Sequence, residues 1–350
     1  MKEILDAIVF GGGQAGLATG YHLQKKGLRF LILEASNQIG GSWPSYYDSL
    51  KLFSPAGYSS MPGMKFPGNQ NRYPHRDEVV RYLQDYKIKF QLPVIFNQRV
   101  ELVEKDRGGF LIRTMTGDIF RARTIINATG SFRNPFLPTI AGMEMFQGDI
   151  LHSSEYRNPK SFHNQRVVVV GGGNSAVQIA VELTEMSQTS LAVVRPIQFV
   201  KQRVWGQDLH FWLKLIGFDT FPFWRFGKTA PRSKAVNDTN KYKERITAGK
   251  PYQEPMFTSF YKGGVIWPDG IKEPVDTVIF ATGFRPQFPY LQAIGALDEE
   301  GRPLHKAGIS IVPGLYYVGL EGQRSFASAT LRGVGQDAEF IVKKLVQCLK

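Results

Sequence analysis

One pattern occurs twice in this chain of 350 residues: a short apolar strand, three consecutive glycines, a helix and a second apolar strand. The first copy begins at Asp6 and the second at Arg166. A strand that runs through a glycine-rich turn into a helix is typical of a βαβ unit that binds a dinucleotide. The sequence therefore predicts an α/β fold with two Rossmann-like dinucleotide-binding domains.

The first copy contains every part of such a site. Gly11 permits the tight turn, Gly13 lets a pyrophosphate approach the backbone, and Gly16 lets the helix pack closely on the sheet. Gln14 and Ala15 stand at the helix N-terminus, where free N–H groups and the positive end of the helix dipole favour phosphates. Glu34 ends the second strand, where its carboxylate can bind both hydroxyls of a ribose without a 2′-phosphate. This copy is predicted to bind FAD.

The second copy is predicted to bind NADPH. Gly171 and Gly173 repeat the glycine loop, and Asn174 and Ser175 open the helix. Arg195 stands at or near the place that Glu34 holds in the first copy, and its guanidinium suits a 2′-phosphate that a carboxylate would repel. The same phosphate is predicted to contact two further basic side chains, Lys201 and Arg203, whose alternative role is that of solvated surface residues.

Two dinucleotide sites in one chain imply electron transfer between their occupants. The tripeptides Ala128-Thr129-Gly130 and Ala281-Thr282-Gly283 each follow an apolar strand, and we expect them to mark the two crossings between the domains. The FAD-binding domain is predicted over residues 1–160 plus 285–350, and the NADPH-binding domain, inserted into it, over residues 161–284.

Composition excludes several classes of function. The formal net charge is +13, but the basic residues are scattered and no nucleic-acid-binding motif accompanies them. Cys348 is the only cysteine, so the chain has no Cys-x-x-Cys redox pair, and we expect a reducing, cytoplasmic location. No cluster of His or Cys predicts a metal site, and no stretch is apolar enough to predict a membrane span.

The chain resembles the flavin-containing monooxygenases, the group B flavoprotein monooxygenases, and most of all their short bacterial members. The most specific motif is Phe146-x-Gly148-x-x-x-His152-x-x-x-Tyr156, placed just before the second glycine loop. Further similarity lies in three stretches that span nearly the whole chain: Gly40-Gly41-Ser42-Trp43, Ala281-Thr282-Gly283-Phe284-Arg285-Pro286, and Gly314-Leu-Tyr-Tyr-Val-Gly319.

The resemblance implies that NADPH reduces FAD, that O2 then adds at flavin C4a, and that the resulting hydroperoxyflavin oxygenates a small sulfur or nitrogen nucleophile or a ketone. Around the two nucleotides it adds the cofactor-binding residues Gly41, Ser42, Trp43, Thr129, Gly130, Gly319, Thr330, Ala281, Thr282 and Gly283. It also implies that His152 organises the linker and cofactors without acting as an acid or base.

The family pattern has one departure, at Phe53, which stands where many members carry an asparagine beside the flavin. We take Phe53 as the flavin-adjacent position of the catalytic site. The departure keeps a second interpretation open, in which the chain is an NADPH-dependent flavin reductase or oxidase that passes electrons to O2, a quinone or a protein without oxygenation.

Residues 205–226, called here the aromatic segment, combine eight Phe and Trp side chains with Lys214 and Arg225. Three interpretations stay open: a helical subdomain with its aromatics packed inward, a lid over the substrate channel, and an attachment to a membrane surface. The predicted partners are a small-molecule substrate and O2. Peripheral membrane contact is the less favoured interpretation, and a homodimer is left open.

Overall fold

The computed structural model describes residues 4–231 and 235–350. Its strands, in chain order, are β1 (Leu5–Phe10), β2 (Phe30–Leu33), β3 (Val94–Ile95), β4 (Val100–Asp106), β5 (Gly109–Thr114), β6 (Ile119–Asn127), β7 (Asp149–His152), β8 (Arg166–Val170), β9 (Gln188–Val193), β10 (Phe199–Lys201), β11 (Arg203–Val204), β12 (Gln207–Asp208), β13 (Val236–Asp238), β14 (Tyr252–Pro255), β15 (Ser259–Tyr261), β16 (Gly264–Ile266), β17 (Lys272–Pro274), β18 (Thr277–Phe280), β19 (His305–Lys306), β20 (Ile309–Ser310) and β21 (Leu315–Tyr317).

The α-helices are α1 (Gln14–Lys25), α2 (Arg76–Lys89), α3 (Asn174–Leu183), α4 (Leu209–Leu215), α5 (Tyr242–Thr247) and α6 (Leu331–Leu349). Short 3-10 helices lie at Trp43–Ser45, Ala56–Tyr58, Met143–Met145, Pro159–Phe162, Phe218–Thr220, Phe223–Phe226 and Pro289–Ile294.

The first unit is built on a nine-stranded sheet whose central order is β21-β6-β1-β2-β3, with all of these strands parallel. Both faces of its strand β1 are covered: Ala7 and Val9 pack with α1 and α6, while Ile8 and Phe10 point into a second core. A continuous apolar run is the expected sequence for such a strand, because successive side chains face opposite cores. The antiparallel strands β4, β5 and β6 form a meander.

The second unit has a five-stranded parallel sheet in the order β14-β9-β8-β18-β7. Val167 and Val169 pack against α3, whereas Val168 and Val170 face a core with the three-stranded sheet β15-β16-β17. The chain leaves the first sheet after β6 and returns to it through β19, β20 and β21. The predicted α/β fold of two Rossmann-like domains, with the second inserted in the first, is confirmed.

The position of β7 corrects the predicted division at residue 160. Residues 149–152 were assigned to the first domain, but they pair in parallel with β18 in the second sheet. A four-residue strand that begins with an exposed Asp149 carries little of the apolar signal by which buried strands are recognised. We propose instead that the second unit begins between Asn127 and Asp149.

The aromatic segment belongs to the second unit in sequence but packs on the first. Asp219 and Arg332 of α6 form a bidentate ion pair, with nitrogen–oxygen distances of 3.0 and 3.1 Å, and both side chains are nearly buried. The ring of Phe218 lies 5.1 Å from that of Phe326, and Trp224 lies 5.6 Å from Phe340. One side of the segment is therefore fixed to the first unit.

Candidate functional site

The first glycine loop is shaped by close backbone approaches. A β-carbon on Gly16 would lie 1.8 Å from the carbonyl oxygen of Gly11, so only glycine lets α1 start this near the loop. Gly11 has a φ of +101°, and a β-carbon there would meet the Ala128 carbonyl oxygen at 2.9 Å. Gly13 faces Gly41, whose own φ is +59°. The loop and the helix N-terminus therefore leave exposed backbone N–H groups beside a space without side chains, which suits a pyrophosphate.

Glu34 lies at the end of β2 and is 1% exposed. Its Oε2 accepts a hydrogen bond from the Gly12 N–H at 2.6 Å, and its Oε1 accepts from the N–H and the hydroxyl of Ser36, each at 2.8 Å. Arg133 of the first crossing segment also donates to Oε1, at 3.2 Å. Glu34 is thus fixed against the glycine loop, where a ribose of the nucleotide would meet its carboxylate.

Several residues that are distant in sequence meet at the N-terminus of α1. Trp43 Nε1 donates to Gln14 Oε1 at 3.1 Å, and Gln14 Nε2 donates to the carbonyl oxygen of Ala329 at 2.6 Å. A β-carbon on Gly319 would lie 2.7 Å from the β-carbon of Ala15. Ser42 begins the 3-10 helix of Trp43, and Thr330 caps α6. The structure therefore brings these predicted residues together around one helix end.

The predicted residues of the first crossing lie at the end of β6. Thr129 Oγ1 donates to Asn127 Oδ1 at 2.9 Å and lies 3.1 Å from the hydroxyl of Tyr290. Tyr290 also donates to Asn127 Oδ1, and burial raises its pKa, so the phenol stays protonated. Apart from Gly130 and its two chain neighbours, no heavy atom of the described residues lies within 4 Å of the place that a β-carbon on Gly130 would occupy. This end of the sheet is open beside a rigid polar cluster.

The second glycine loop has the same form with more room. Gly171 has a φ of +140°, and a β-carbon there would lie 2.5 Å from the carbonyl oxygen of Ala281. Gly173 caps α3, and within residues 4–231 and 235–350 no heavy atom beyond its chain neighbours lies within 4 Å of a β-carbon placed on it. Asn174 Oδ1 accepts from the backbone N–H of Asn237 at 2.9 Å. The open space at Gly173 and the N-terminus of α3 fit the pyrophosphate of a second dinucleotide.

Arg195 lies near the position equivalent to Glu34 but not at it. Gly11 donates its N–H to the carbonyl oxygen of Leu33, while Gly171 donates to that of Ala192. Val193 is therefore the equivalent of Glu34, and Arg195 is the equivalent of Ser36, two residues farther on. Strand ends cannot be aligned from the sequence to within two residues, so this offset is not visible there. Val193 carries no acid, and Arg195 is exposed.

Lys201 and Arg203 lie farther from this loop in the chain, at the ends of β10 and β11, and both are exposed. Of the other predicted residues of the second unit, Ala281, Thr282 and Gly283 directly follow β18. Ser175 is exposed in the first turn of α3. Thr282 Oγ1 donates to the carbonyl oxygen of Phe136, and Gly283 accepts from His152.

The two crossings between the units run side by side. Phe136 donates its N–H to the Gly283 carbonyl oxygen at 2.9 Å, and Arg285 donates to that of Asn134 at 2.9 Å. His152, 1% exposed, donates from Nε2 to the Gly283 carbonyl oxygen at 3.1 Å, and its Nδ1 accepts from the Ser154 N–H at 3.1 Å. Burial lowers the pKa of His152, so the neutral ring fixes the second crossing.

A loop of the first unit, residues 43–50, docks on helix α3 of the second. The buried Tyr47 hydroxyl donates to Gln178 Oε1, and Ser49 Oγ donates to Glu182 Oε2 at 2.9 Å. Tyr156 OH donates to the same Glu182 oxygen at 2.9 Å. Because Trp43 begins this loop at the first nucleotide site, the loop connects the two sites physically.

A buried polar cluster lies where Phe53 meets the second unit. Gln202 Nε2 donates both to the carbonyl oxygen of Phe53 and to Asp208 Oδ2, each at 2.9 Å. Tyr73 OH donates to the same Asp208 oxygen, and His210 donates from its N–H and Nδ1 to Asp208 Oδ1 at 2.8 Å. Burial opposes ionisation, but the bonds from His210, Tyr73 and Gln202 outweigh it and lower the pKa of Asp208 to about 2.

Sequence reasoning missed this cluster, as well as Arg133, Tyr47 and Tyr290. The only sequence signal for the cluster was the spacing Asp208-x-His210, which places two titratable groups close together without showing what lies opposite. The ring of Phe53 is partly exposed at the boundary of the two units. The structure gives Phe53 a fixed backbone, while its side chain offers no hydrogen-bond donor.

Two features of the described residues bear on other site types. Within residues 4–231 and 235–350, no group of three His, Cys, Asp or Glu side chains is arranged to hold a metal ion. In the same ranges, no helix combines the length and apolarity that a membrane crossing requires.

Comparison with known proteins gives consistent matches over this architecture. A family model described as pyridine nucleotide-disulphide oxidoreductase matches residues 8–216. An oxidoreductase of Geobacillus kaustophilus, described as CzcO-like, is 35% identical and is covered over 99% of both chains. The indole-3-pyruvate monooxygenase YUCCA4 of Oryza sativa is 29% identical, over 99% of this chain and 88% of its own. The solved structure of a flavin-containing monooxygenase from Stenotrophomonas maltophilia is 31% identical, with a TM-score of 0.88 over 99% of this chain and 100% of that one.

Proposed function

This chain belongs to the pyridine nucleotide-disulphide oxidoreductase family, and within it to the flavin-containing monooxygenases; from that premise we propose that it uses FAD and NADPH to oxygenate a small molecule with O2. The enzyme is a flavin-dependent oxidoreductase. The substrate we propose is a soft sulfur or nitrogen nucleophile or a ketone. One relative, the YUCCA4 protein, is named for a keto acid, which agrees with a carbonyl substrate.

The contrast between the two nucleotide sites carries the cofactor assignment. In the first, the buried Glu34 carboxylate lies where a ribose binds, which suits the unphosphorylated adenosine of FAD. In the second, Val193 replaces that acid and Arg195 lies two residues beyond. A 2′-phosphate bound there would be repelled by no carboxylate at this position and could pair with the guanidinium of Arg195. We therefore assign FAD to the first unit and NADPH to the second.

The flavin, when bound, supplies hydride acceptance and the activation of O2. The residues of the chain hold the two nucleotides in register. The N-terminus of α1 and the Gly13–Gly41 backbone receive the pyrophosphate of FAD, while Trp43 and Gln14 fix the loop beside it. The loop 43–50, bonded to α3 through Tyr47, sets the distance between the two sites.

The single cysteine separates this function from disulfide reduction. Enzymes that pass flavin electrons to a disulfide through an internal dithiol need two cysteines, and this chain has only Cys348. Electrons from NADPH must therefore leave through O2 or through another external acceptor.

A stopped-flow experiment tests the oxygenase proposal. Enzyme reduced by NADPH is mixed with O2 in the presence of NADP⁺, and the absorbance of the flavin is followed. We expect a persistent C4a-adduct spectrum, and in the presence of sulfides, amines or ketones an oxygenated product should form in place of released hydrogen peroxide. Brisk NADPH oxidation with peroxide as the sole product throughout the panel would instead establish the oxidase that Phe53 leaves open.

A further inference from the structure

The aromatic segment has an outer surface that neither nucleotide site uses. We propose that this surface docks on an anionic membrane. Five large apolar side chains of the segment are exposed: Trp205, Leu215, Ile216, Phe221 and Phe226. Three of them are exposed by 65% or more, namely Trp205 at 86%, Ile216 at 69% and Phe226 at 65%. Soluble surfaces rarely gather apolar residues of this size on one short segment, and such gatherings mark interaction sites.

The exposed residues alternate with residues that hold the segment in place. Phe218, Asp219 and Trp224 face the first unit, through the rings of Phe326 and Phe340 and the ion pair to Arg332. Phe221 and Phe226 stack on each other, 5.5 Å apart and nearly parallel, on the exposed side. The backbone that carries the outer side chains is therefore fixed to the first unit, and these side chains stay exposed.

Trp205 is highly exposed and has an unfavourable backbone conformation. It forms the tip of the β11–β12 hairpin with Gly206, and both have positive φ, +49° and +75°. A bulky residue in this region of backbone space is uncommon and strained. Trp205 touches Trp212 of α4, with ring centroids 5.4 Å apart. The hairpin tip therefore adjoins the helix that ends in Leu215 and is followed by Ile216.

The charge of the segment selects the kind of surface. Residues 201–231 contain two acids, Asp208 and Asp219, and both are engaged in the contacts described above. The same stretch contains five basic residues, which are all exposed: Lys201, Arg203, Lys214, Arg225 and Lys228. Exposed Trp and Phe with Lys and Arg beside them are the composition of proteins that lie in the interface of anionic lipids. A second copy of this chain would bring the same positive charges against each other.

Vesicle binding by the purified FAD-loaded enzyme tests the proposal independently of any oxygenase activity. The vesicles contain phosphatidylcholine alone or with about one-third phosphatidylglycerol, and NaCl is about 0.1 M or about 1 M, which shortens the screening length from about 10 to about 3 Å. We expect binding to the anionic vesicles at low salt and far weaker binding to phosphatidylcholine. Brominated lipids should quench tryptophan fluorescence, and Trp205→Phe should remove that quenching.

Two pairs of substitutions separate the surface from the overall positive charge of the protein. Ile216→Ser with Phe226→Ser should weaken binding by about 10- to 100-fold, because two largely exposed apolar side chains no longer enter the lipid. Ile88→Ser with Met115→Ser, equally exposed on the first unit at 68% and 66%, should leave it unchanged. Lys214→Gln and Lys228→Gln should each weaken it by about fivefold at low salt.

Three results would overturn the proposal. The first is equal binding to both vesicle types. The second is equal loss of binding in the two pairs of apolar variants. The third is a combination of observations: the wild type does not bind vesicles and is a dimer in light scattering, and Ile216→Ser with Phe226→Ser makes it a monomer. The partner of the surface would then be a second copy of the chain.

Discussion

Removal of the Arg195 guanidinium should change the affinity for NADPH and leave that for NADH unaltered. A hydrogen bond to a charged group contributes about 1.5–3 kcal/mol. Arg195 is exposed and follows the strand end by two residues, so water competes for the phosphate and the lower end of this range applies. About 1.5 kcal/mol corresponds to roughly tenfold in affinity. Arg195→Ala should therefore raise the KM for NADPH about tenfold.

Steady-state oxidation of both coenzymes measures the effect. The change should appear in KM and not in kcat, because the 2′-phosphate is remote from the hydride and is bound alike in ground and transition states. Arg195→Lys should recover part of the loss, and Arg107→Ala, an exposed arginine of the first unit, serves as the control. An equal loss with NADPH and NADH, or wild-type enzyme without preference between them, would refute the assignment of Arg195 to the phosphate.

Four further substitutions test the nucleotide loops, the Asp208 cluster and a buried acid of α6, Asp337. Gly13→Val should yield colourless protein, because the side chain fills the space beside Gly41, whereas Gly173→Val should keep bound FAD, measured by its absorbance, and lose reduction by NADPH. Asp208→Asn should lower the Tm by a few degrees, because hydrogen bonds to a charged acceptor, worth about 2 kcal/mol, become weaker. The same substitution should raise the yield of peroxide per NADPH. An unchanged Tm would show that the cluster contributes little to stability. Burial raises the pKa of Asp337 from 3.8 to about 6, so the folded state prefers the protonated acid. The contribution of this group to the free energy of unfolding, at most about 3 kcal/mol, is therefore lost as the pH rises from about 4 to about 6. The Tm of Asp337→Asn relative to wild type should therefore be higher at pH 7 than at pH 4, and a constant difference would contradict this.

The sequence predicts the two nucleotide loops well because their determinants are local. Gly16, which the packing of α1 on β1 requires, can be recognised from the twelve residues that run from the start of β1 to Gly16 itself. The paired Ala-Thr-Gly tripeptides likewise stand directly after strands. Close backbone approaches at Gly11, Gly16 and Gly171 leave glycine as the sole residue that fits there.

What the sequence did not predict depends on contacts across long separations. Arg133 reaches Glu34 from a loop 99 positions away, and Tyr73 meets Asp208 across 135 positions. Neither partner belongs to a periodic pattern, so no local signal reveals it. The two-residue offset of Arg195 from the position of Glu34 has a related cause, because the register between neighbouring strands is set by hydrogen bonds that a single sequence does not show.

The paired crossings limit how the two units can move relative to each other. Two adjacent segments, 134–136 and 283–285, are joined by an antiparallel bridge and two backbone hydrogen bonds. Such a pair can bend about an axis in its own plane, whereas sliding of one segment along the other would break the bonds that hold its register. The second unit should therefore rotate about a single hinge line. Such a rotation would separate α3 from the loop 43–50, so the side-chain hydrogen bonds of Tyr47 and Ser49 to α3 must break before the two units open.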